Sequence, residues 1–367
     1  MNTRNLRCGT CLVPADAILG FRSVHQLTVK TCRGLLSSLR VTAALVGMRN
    51  SNVFRRCLGA YLLQSRRVWN HVPASLQRLP LGRSYGDHLH ALVQQRAERQ
   101  QYFATFFLRN RAELELMRRL ADQRTYGAKL DISVLACSKG AEVYSILWVL
   151  RSARPDLKIS VHALDISQEI LDFAERGVYS LTSPDAFNTT RRETVTEGGD
   201  VTWNTCRDQL TSMFERVTKD ELEAMFELSG DQAKIRPWLK DGITWVCGDA
   251  SRLTVSASVG AQDMVVANRF LCHMQPEAAE ECLRNIARLV KPGGYLFVSG
   301  VDLDVRTKVA RAMGWKPVTE MMREIHDGDP SLISGWPLEY WGLEPFDNRR
   351  PDWKIRYACV FQIGETA

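Results

Sequence analysis

Between residues 129 and 300, short apolar runs alternate with helical segments, and this alternation constrains the fold more than any other feature of the chain. The helical segments include residues 168–176 and a run that opens on Pro276, a residue favoured at the first position of a helix. Strands that alternate with helices form right-handed crossovers and pair in parallel. The sequence therefore predicts an α/β fold, with a Rossmann-like, doubly wound and mostly parallel sheet. The strand-like runs are "LDISVLAC", "LKISVHAL", "GITWVC", "DMVVAN" and "GYLFVSG".

The chain continues on both sides of this alternating region. Apolar residues at three-to-four spacing predict a helical module before it, and the Trp-rich tail after it ends in "DWKIRYACVFQIG", whose period-two alternation predicts a final strand. We expect the tail to fold back on the sheet and close part of the site at its edge. The predicted domains are a basic, poorly ordered N-terminal extension (1–65), the helical module (66–128), the Rossmann-like domain (129–305) and a C-terminal extension that completes the sheet (306–367).

Residues 180–241 interrupt the alternation with a polar loop. Thr218 and Glu221 have the spacing of a capping box ahead of an apolar run, so this insert is expected to contain a helix.

The net charge of +7 resides in the N-terminal segment. Residues 1–80 carry 12 Arg or Lys and a single acid, Asp16, which leaves a charge of −4 for the rest of the chain. Such a segment is typical of a transit-like leader or an unpacked extension. Nucleic acid is therefore disfavoured as a partner. No apolar run reaches the roughly 20 residues that a membrane span needs, so we expect no membrane span. A cytoplasmic location is predicted.

The cysteines and acidic motifs give little support for a metal site. The chain has ten cysteines, and "CGTC" at residues 8–11 is their only C-x-x-C pair. A structural zinc site would need a second close pair of ligands. Asp327 and Asp329 lie close to His326 in "HDGD", but a loop turn is the preferred interpretation of this stretch. We therefore predict no metal.

The stretch "VLACSKGAEVYSI" passes from a predicted strand into a predicted helix through small residues. Ala136, Ser138 and Gly140 would let a ligand approach the backbone, and the helix that follows offers free N–H groups. One glycine is a poor match to the three-glycine fingerprint of dinucleotide-binding proteins. By itself the stretch fits either a plain structural turn or a binding turn.

The ends of the next two strands favour binding. Asp165 ends the second strand, 25 residues after Gly140, where an acid can accept hydrogen bonds from both ribose hydroxyls. The alternative for Asp165 is a helix N-cap, a role that Ser167 could also fill. Asp249 and Ala250 end the third strand, where they could meet an adenine edge. Because no Gly-rich phosphate loop is present, the leading cofactor is S-adenosylmethionine, a nucleoside without phosphate.

Five segments, in the right order, resemble motifs of the CheR-type chemotaxis methyltransferases, which methylate glutamate side chains of receptors with S-adenosylmethionine. The most specific is "ACSKGAEVYS", which is similar to A-C-S-x-G-x-E-x-Y-S. The resemblance covers roughly residues 100–300. The other four segments are "TFFLR", similar to T-x-F-F-R; "HALDIS", similar to A-T-D-I-D; "VVANRFLCHM", similar to F-C-R-N-V-x-I-Y-F; and "LVKPGGYLFVSG", similar to L-x-P-G-G-x-L-x-x-G-H.

The resemblance implies a role for each matching position. It places Thr105 and Arg109 over the cofactor from the helical module, with Glu142 at the amino-acid end of the cofactor. Arg109, Arg269 and His273 are the candidate catalytic residues. The full set of predicted cofactor-binding residues is Thr105, Arg109, Ala136, Ser138, Gly140, Glu142, Asp165, Asp249, Ala250, Asn268 and Arg269.

The chain also departs from the family pattern. Phe103 replaces an Asn, Lys139 adds a cation that would repel a sulfonium unless its side chain reaches solvent, and His273 stands where the family has a Tyr. The three-stranded insert that binds the receptor tail is not recognisable in residues 180–241. These departures affect the acceptor more than the cofactor.

The acceptor class remains open between two chemistries. A carboxylate is already ionised at neutral pH and needs no base, whereas an amine or hydroxyl would need one, and His273 suits that task. The predicted function is therefore transfer of a methyl group from S-adenosylmethionine to a carboxylate, or to another oxygen or nitrogen acceptor, of a protein or small molecule. The alternative is a non-catalytic S-adenosylmethionine-binding or scaffold protein. Nucleic-acid amino-methylation is disfavoured because "ANRF" lacks the prolines of that class.

Overall fold

The computed structural model describes residues 52–97, 99, 103–182, 190–195, 201–206, 212–252 and 259–364. The chain divides into two compact units. The first comprises Met1–Gln64 and Glu197–Asp200, and only the beginning of a helix in it is described. The second unit, Ser65–Thr196 and Val201–Ala367, contains the fold and the site that follow. The predicted poor order of the basic extension falls mostly outside the described residues, and the finer boundaries at 66, 129 and 306 stay predictions.

A seven-stranded sheet forms the centre of the second unit, in the order β11-β12-β10-β9-β1-β2-β8. The five strands from β10 to β8 pair in parallel, while β12 runs antiparallel to both β10 and β11. The predicted α/β fold with a mostly parallel sheet is confirmed. Its strands are β1 (Lys129–Leu135), β2 (Lys158–Asp165), β8 (Ile243–Cys247), β9 (Gln262–Val266), β10 (Val290–Phe297), β11 (Lys316–Pro317) and β12 (Val360–Gln362).

The order of the strands locates a binding crevice. From β1 the chain moves outward through β2 to β8, and then returns to the other side of β1 with β9. Ligands of open α/β sheets bind at such a reversal, beyond the carboxyl ends of the strands. The crevice therefore lies between β1 and β9.

Apolar layers cover both faces of the sheet, which explains the continuous apolar runs of its strands. Met264 and Val266 of β9 pack in one buried cluster, whereas Val265 between them packs in the other. None of the described helices is long and apolar enough to cross a membrane. The helices are α1 (Asn52–His71), α2 (Ala74–Gln77), α3 (Pro80–Arg96), α4 (Arg111–Asp122), α5 (Ala141–Ala153), α6 (Gln168–Arg176), α7 (Lys219–Met225), α8 (Pro276–Ala287), α9 (Leu303–Ala312), α10 (Met322–His326), α11 (Pro330–Gly335) and α12 (Trp353–Arg356).

The helical module is interrupted where the sequence pattern predicts helix. Residues 103–110 are not helical, and α4 begins only after Asn110, whose side chain accepts a hydrogen bond from the Glu113 backbone N–H at 3.2 Å. Leu108 has a left-handed φ of 52°. Thr105 and Arg109 therefore lie on a loop, and the expectation that Arg109 reaches in from a helix is wrong.

The insert contains more strand than the sequence indicates. β3 (Val178–Ser180), β6 (Phe226–Ser229) and β7 (Gln232–Ile235) form a three-stranded antiparallel sheet, and β4 (Thr190–Val195) pairs with β5 (Val201–Cys206). The predicted capping box is confirmed at the start of α7. This three-stranded sheet is not recognisable from the sequence, because β3 precedes the polar loop and Gly230, with φ of 58°, turns β6 into β7.

The C-terminal extension completes the edge of the sheet through β11 and β12. The long final strand predicted from residue 352 is wrong in its first half, where α12 forms and leaves only Val360–Gln362 as strand. The extension also packs on the helical module: a Cβ on Gly86 of α3 would lie 2.2 Å from the Trp336 ring. Arg83 of α3 also donates to Asp347 at 2.6 Å.

Candidate active site

A cavity of about 370 Å³ lies at the predicted crevice. Its volume is in the range of roughly 300–1,000 Å³ that is typical of small-molecule sites. Segments beyond β1, β2, β8 and β9 line it, together with the 103–110 loop, α4 and the C-terminal extension. The predicted site residues that line it are Thr105, Arg109, Ala136, Ser138, Glu142, Asp165, Asp249, Ala250, Asn268, Arg269 and His273.

Gly140 does not line this cavity, and its predicted contact with the cofactor is replaced by a packing role. It precedes α5 with φ of 81°, and a Cβ there would lie 3.1 Å from Ala174 Cβ and from the Tyr144 ring. The turn before it does reach the cavity: Ala136 and Ser138 adopt φ of 52° and 49°, respectively. The Ser138 hydroxyl donates to the Phe103 carbonyl at 2.9 Å, which ties the turn to the 103–110 loop.

Asp165 at the end of β2 is buried and faces the cavity, with 4% of its surface exposed. Its carboxylate accepts from the Ser138 N–H at 2.9 Å and from the Ser167 N–H at 3.2 Å. Ser167 caps α6 through its side chain, so the N-cap alternative for Asp165 is wrong. Burial raises the pKa of Asp165. Each carboxylate oxygen retains a lone pair, so the group can still accept from ligand hydroxyls.

Asp249 and Ala250 follow β8 at the rim of the cavity. The Asp249 carboxylate accepts from the N–H and hydroxyl of Ser251, at 2.9 and 2.6 Å, and it is exposed. Its side chain therefore stabilises its own turn. The contact predicted with adenine would come from the backbone of this turn, because the second carboxylate oxygen of Asp249 pairs with Arg252 at 3.4 Å.

Asn268, beyond β9, connects two carboxylates on different helices. Its amide nitrogen donates to Glu113 Oε1 at 2.5 Å and to Glu142 Oε1 at 2.9 Å, while its oxygen accepts from the N–H and hydroxyl of Ser299. Burial, and then the charge of Glu142, raise the pKa of Glu113 to about 8. Burial also raises the pKa of Glu142. Both acids line the cavity.

Arg269, next to Asn268, is already paired. It has a left-handed φ of 61° and donates to Asp329, and to the Ser331 hydroxyl at 3.3 Å. Gly300 provides the space for the Arg269 side chain, because a Cβ on Gly300 would lie 2.7 Å from Arg269 Cγ. Arg269 is thus at the cavity wall as predicted, with most of its charge neutralised by Asp329.

Asp329 lies in a turn, as the interpretation of "HDGD" expects: its side chain caps α11 by accepting from the Ser331 N–H at 3.2 Å. The same residue is also part of the site. It is 3% exposed, lines the cavity and also accepts from Arg216 at 3.2 Å. Burial would raise its pKa, but Arg269 and Arg109 hold the pKa of Asp329 below its usual value. His326 of the same motif is buried and bonded to the Glu344 carbonyl.

Among the described residues, no group of three or more His, Cys, Asp or Glu side chains could hold a metal ion, and "CGTC" lies outside them.

Arg109 differs from Arg269 because its donors are largely unused. Its guanidinium lies over the Phe106 ring at 5.0 Å, and one nitrogen donates to the Ala104 carbonyl at 3.0 Å. Its Nε is buried without a partner, and within the described part of the chain no carboxylate lies within ion-pair distance of it. Burial and the charge of Arg269 lower the pKa of Arg109 to about 9, so it is still a cation at neutral pH.

His273 lines the cavity opposite the C-terminal extension. Its Nδ1 lies 2.6 Å from the hydroxyl of Tyr340, and the two rings meet edge to face. Burial, together with the charges of Arg269 and Arg99, lowers the pKa of His273 to about 4. At neutral pH this imidazole is uncharged and is a weak base.

Two other residues near the motifs take structural roles. Lys139 is fully buried and does not line the cavity, so its side chain does not reach solvent, and repulsion of a sulfonium stays a prediction. Cys272 is buried, and burial raises its pKa to about 11, which leaves it a packing residue.

Two family models match parts of the chain. Residues 104–215 match the family model described as "CheR methyltransferase, SAM binding domain", and residues 207–298 match that of a methyltransferase domain. The first match agrees with the resemblance to CheR-type methyltransferases that the motifs predict.

The chain is also similar to one curated protein and to solved methyltransferases. An uncharacterized 104.1 kDa protein of Rhodobacter capsulatus is 25% identical over 52% of this chain. The matched region covers 17% of the length of that relative. An O-methyltransferase family protein from Burkholderia thailandensis is 13% identical over 72% of this chain and 50% of its own, with a TM-score of 0.30. Magnesium protoporphyrin IX methyltransferase from Synechocystis PCC 6803 is 13% identical to this chain. The match covers 64% of this chain and 86% of that protein, with a TM-score of 0.30.

Proposed function

We propose that this protein is an S-adenosylmethionine-dependent methyltransferase and that it transfers the methyl group to a carboxylate of a protein or small molecule. The observation that carries the proposal is Arg109, a cation in the cavity wall whose donors are mostly unpaired. Guanidinium and carboxylate form strong, charge-assisted and often bidentate hydrogen bonds. An acceptor carboxylate would satisfy this side chain and be oriented by it.

The residues around the cavity fit S-adenosylmethionine. Asp165 offers lone pairs to ribose hydroxyls, the turn at Ala136 lets the nucleoside approach the backbone, and Asp249 borders the position expected for adenine. Glu142 and Asn268 would hold the amino-acid end. When bound, this cofactor supplies an electrophilic methyl group on a sulfonium.

For methylation of a carboxylate, the protein mainly has to position the acceptor and stabilise its charge. A glutamate with a pKa near 4.3 is ionised at neutral pH, so no proton has to be removed before it attacks. Its carboxylate must be held about 3–3.5 Å from the methyl group in a site that excludes water. His273, with a pKa of about 4, is poorly suited to accept the proton that an amine or hydroxyl acceptor would lose.

Replacing His273 separates the two kinds of acceptor. For a carboxylate acceptor, we expect His273→Ala to change kcat by less than about 10-fold, because no base is needed; for an amine or hydroxyl, loss of a general base would lower it by about 10²-fold or more. Initial rates measured with a methyl-labelled donor distinguish the two kinds of acceptor. His71→Ala, in an exposed part of α1, is the matched control.

The bond formed in the product tests the proposal directly. The protein is incubated with tritiated S-adenosylmethionine and a cell lysate, and the labelled products are treated with mild alkali. Carboxyl methyl esters hydrolyse and release volatile labelled methanol, whereas N-methyl groups and methyl ethers are stable. Alkali-labile label that disappears with Arg109→Ala is expected, and label that resists alkali would contradict a carboxylate acceptor.

A further inference from the structure

Glu113 is an acid in the cavity wall that none of the motifs includes. It lies in the first turn of α4 and is 5% exposed, and its Oε1 accepts from the Asn268 amide. Its Oε2 is buried and has no hydrogen-bond partner. The side chain does not cap α4, because Asn110 fills that role. A buried carboxyl with an unpartnered oxygen costs free energy, so it requires a functional or protonation-state explanation.

Among the described residues, the Asn268 amide is the one hydrogen-bond partner of the Glu113 carboxyl, and a second acid shares it. The amide nitrogen of Asn268 bonds both Glu113 and Glu142, which come from different helices. Two buried carboxylates at one amide resist simultaneous ionisation, since each raises the pKa of the other. With the pKa of Glu113 near 8, the pair holds a proton at neutral pH. The other charged or titratable groups near the pair are Asp329 and Cys359 in the C-terminal extension, Arg306 on α9, and Arg109 and Arg269 at the cavity wall.

The donor and the product of methyl transfer differ in charge. S-adenosylmethionine carries a permanent sulfonium cation, which becomes a neutral thioether in S-adenosylhomocysteine, while the ammonium and carboxylate of the two molecules are the same. A cation close to a carboxyl group favours its ionised form. The protonation of the Glu113–Glu142 pair can therefore respond to the one feature that separates donor from product.

We propose that Glu113 makes the cavity selective for the donor over the product: beyond the effect of the ammonium that Glu142 would bind in both ligands, the sulfonium of S-adenosylmethionine releases a proton from the Glu113–Glu142 pair that S-adenosylhomocysteine leaves in place. The inference rests on cofactor binding in this cavity, and it is independent of the acceptor. After methyl transfer to a carboxylate, the sulfonium charge is gone, a proton returns from solvent to the pair, and the product binds less tightly.

The pH dependence of binding follows from this release. Below pH 8, expelling the proton becomes harder as pH falls, so the ratio of donor affinity to product affinity should fall toward tenfold per pH unit. Above pH 8, where the pair is already ionised, the ratio should be constant. The shared ammonium titrates in both ligands and cancels in the ratio.

Isothermal titration calorimetry at pH 7, in two buffers with different ionisation enthalpies, counts the released protons. We expect S-adenosylmethionine to release close to one proton more than S-adenosylhomocysteine does. Glu113→Gln, whose amide resembles the protonated acid in shape, should abolish the difference and lower the donor-to-product affinity ratio about 10-fold, or 1.4 kcal/mol. Glu115→Gln, on the same helix but bonded to Arg118 and Arg119 outside the cavity, should behave like the wild type.

Two results would overturn the inference. One is equal proton release for donor and product in the wild-type protein, a measurement that does not depend on any variant. The other is an unchanged difference in Glu113→Gln. If neither molecule binds to the wild-type protein, cofactor binding itself fails, which is a separate outcome.

Discussion

Asp165→Ala is expected to raise the dissociation constant for S-adenosylmethionine by about 100-fold or more. The change removes the acceptor for the ribose hydroxyls, and hydrogen bonds to a charged group are worth about 1.5–3 kcal/mol each. It also leaves the Ser138 N–H without its acceptor, which loosens the turn that borders the nucleoside. Calorimetric titration of the two proteins with S-adenosylmethionine measures the effect directly.

The control for this variant is Asp172→Ala. Asp172 lies on the exposed face of α6, where it accepts from Gln168, and it does not line the cavity. Its removal should leave the dissociation constant within about 2-fold of the wild type. If Asp165→Ala weakened binding by less than about 3-fold, the ribose site would have to lie elsewhere.

Asp329→Ala is expected to cause the largest loss of stability among these variants. Asp329 is buried and accepts from both Arg269 and Arg216, so the substitution leaves two partly buried cations without their carboxylate. Removing one partner of a buried ion pair typically costs about 3–5 kcal/mol in the free energy of unfolding. Urea unfolding at pH 7, followed by circular dichroism, gives this difference.

The pH dependence of the same effect has a defined sign. Because the pKa of Asp329 is lowered in the folded state, its stabilisation is present above its unfolded pKa of about 3.9 and is lost as the pH falls through the folded value. The stabilities of Asp329→Ala and the wild type should therefore converge in strong acid.

The control is Asp327→Ala. Asp327 is an exposed neighbour in the same motif that pairs loosely with Arg323, and its removal should change stability by less than about 0.5 kcal/mol. An effect of Asp329→Ala as small as this would show that the buried pair is dispensable.

The sequence predicted the parts of the site that depend on local chain order. The strand ends that carry Asp165 and Asp249, and the small residues of the turn after β1, follow from the alternation of strands and helices. Parallel strands bring these ends to one edge of the sheet, whatever the loops do. That is why the cavity could be anticipated without knowledge of the contacts.

The missed residues depend on contacts between distant segments. In the amphipathic pattern of α4, Glu113 is indistinguishable from the partly exposed Glu115, and only its contact with Asn268, 155 positions away, reveals that it is buried beside the cavity. Tyr340 reaches His273 across 67 positions, and Asp329 reaches Arg269 across 60. A buried carboxylate and an exposed one look alike in a single sequence, because burial is decided by tertiary packing.

Local patterns also failed where two signals compete. The three-to-four spacing extends across residues 103–110, but Asn110 caps α4 and Leu108 has a left-handed φ, so the loop that carries Arg109 is not helical. The final alternation likewise runs through α12, and within it only Val360–Gln362 form the strand that pairs with β10. In each case, tertiary contacts overrode the periodicity.

A crystal structure of the protein with S-adenosylhomocysteine tests the central claim most directly. The account predicts both ribose hydroxyls within about 2.5–3.0 Å of the Asp165 carboxylate, with the sulfur end of the ligand on the side of the cavity that holds Arg109 and Asn268. A nucleoside that lies away from Asp165, or a sulfur that points away from Arg109, would contradict it.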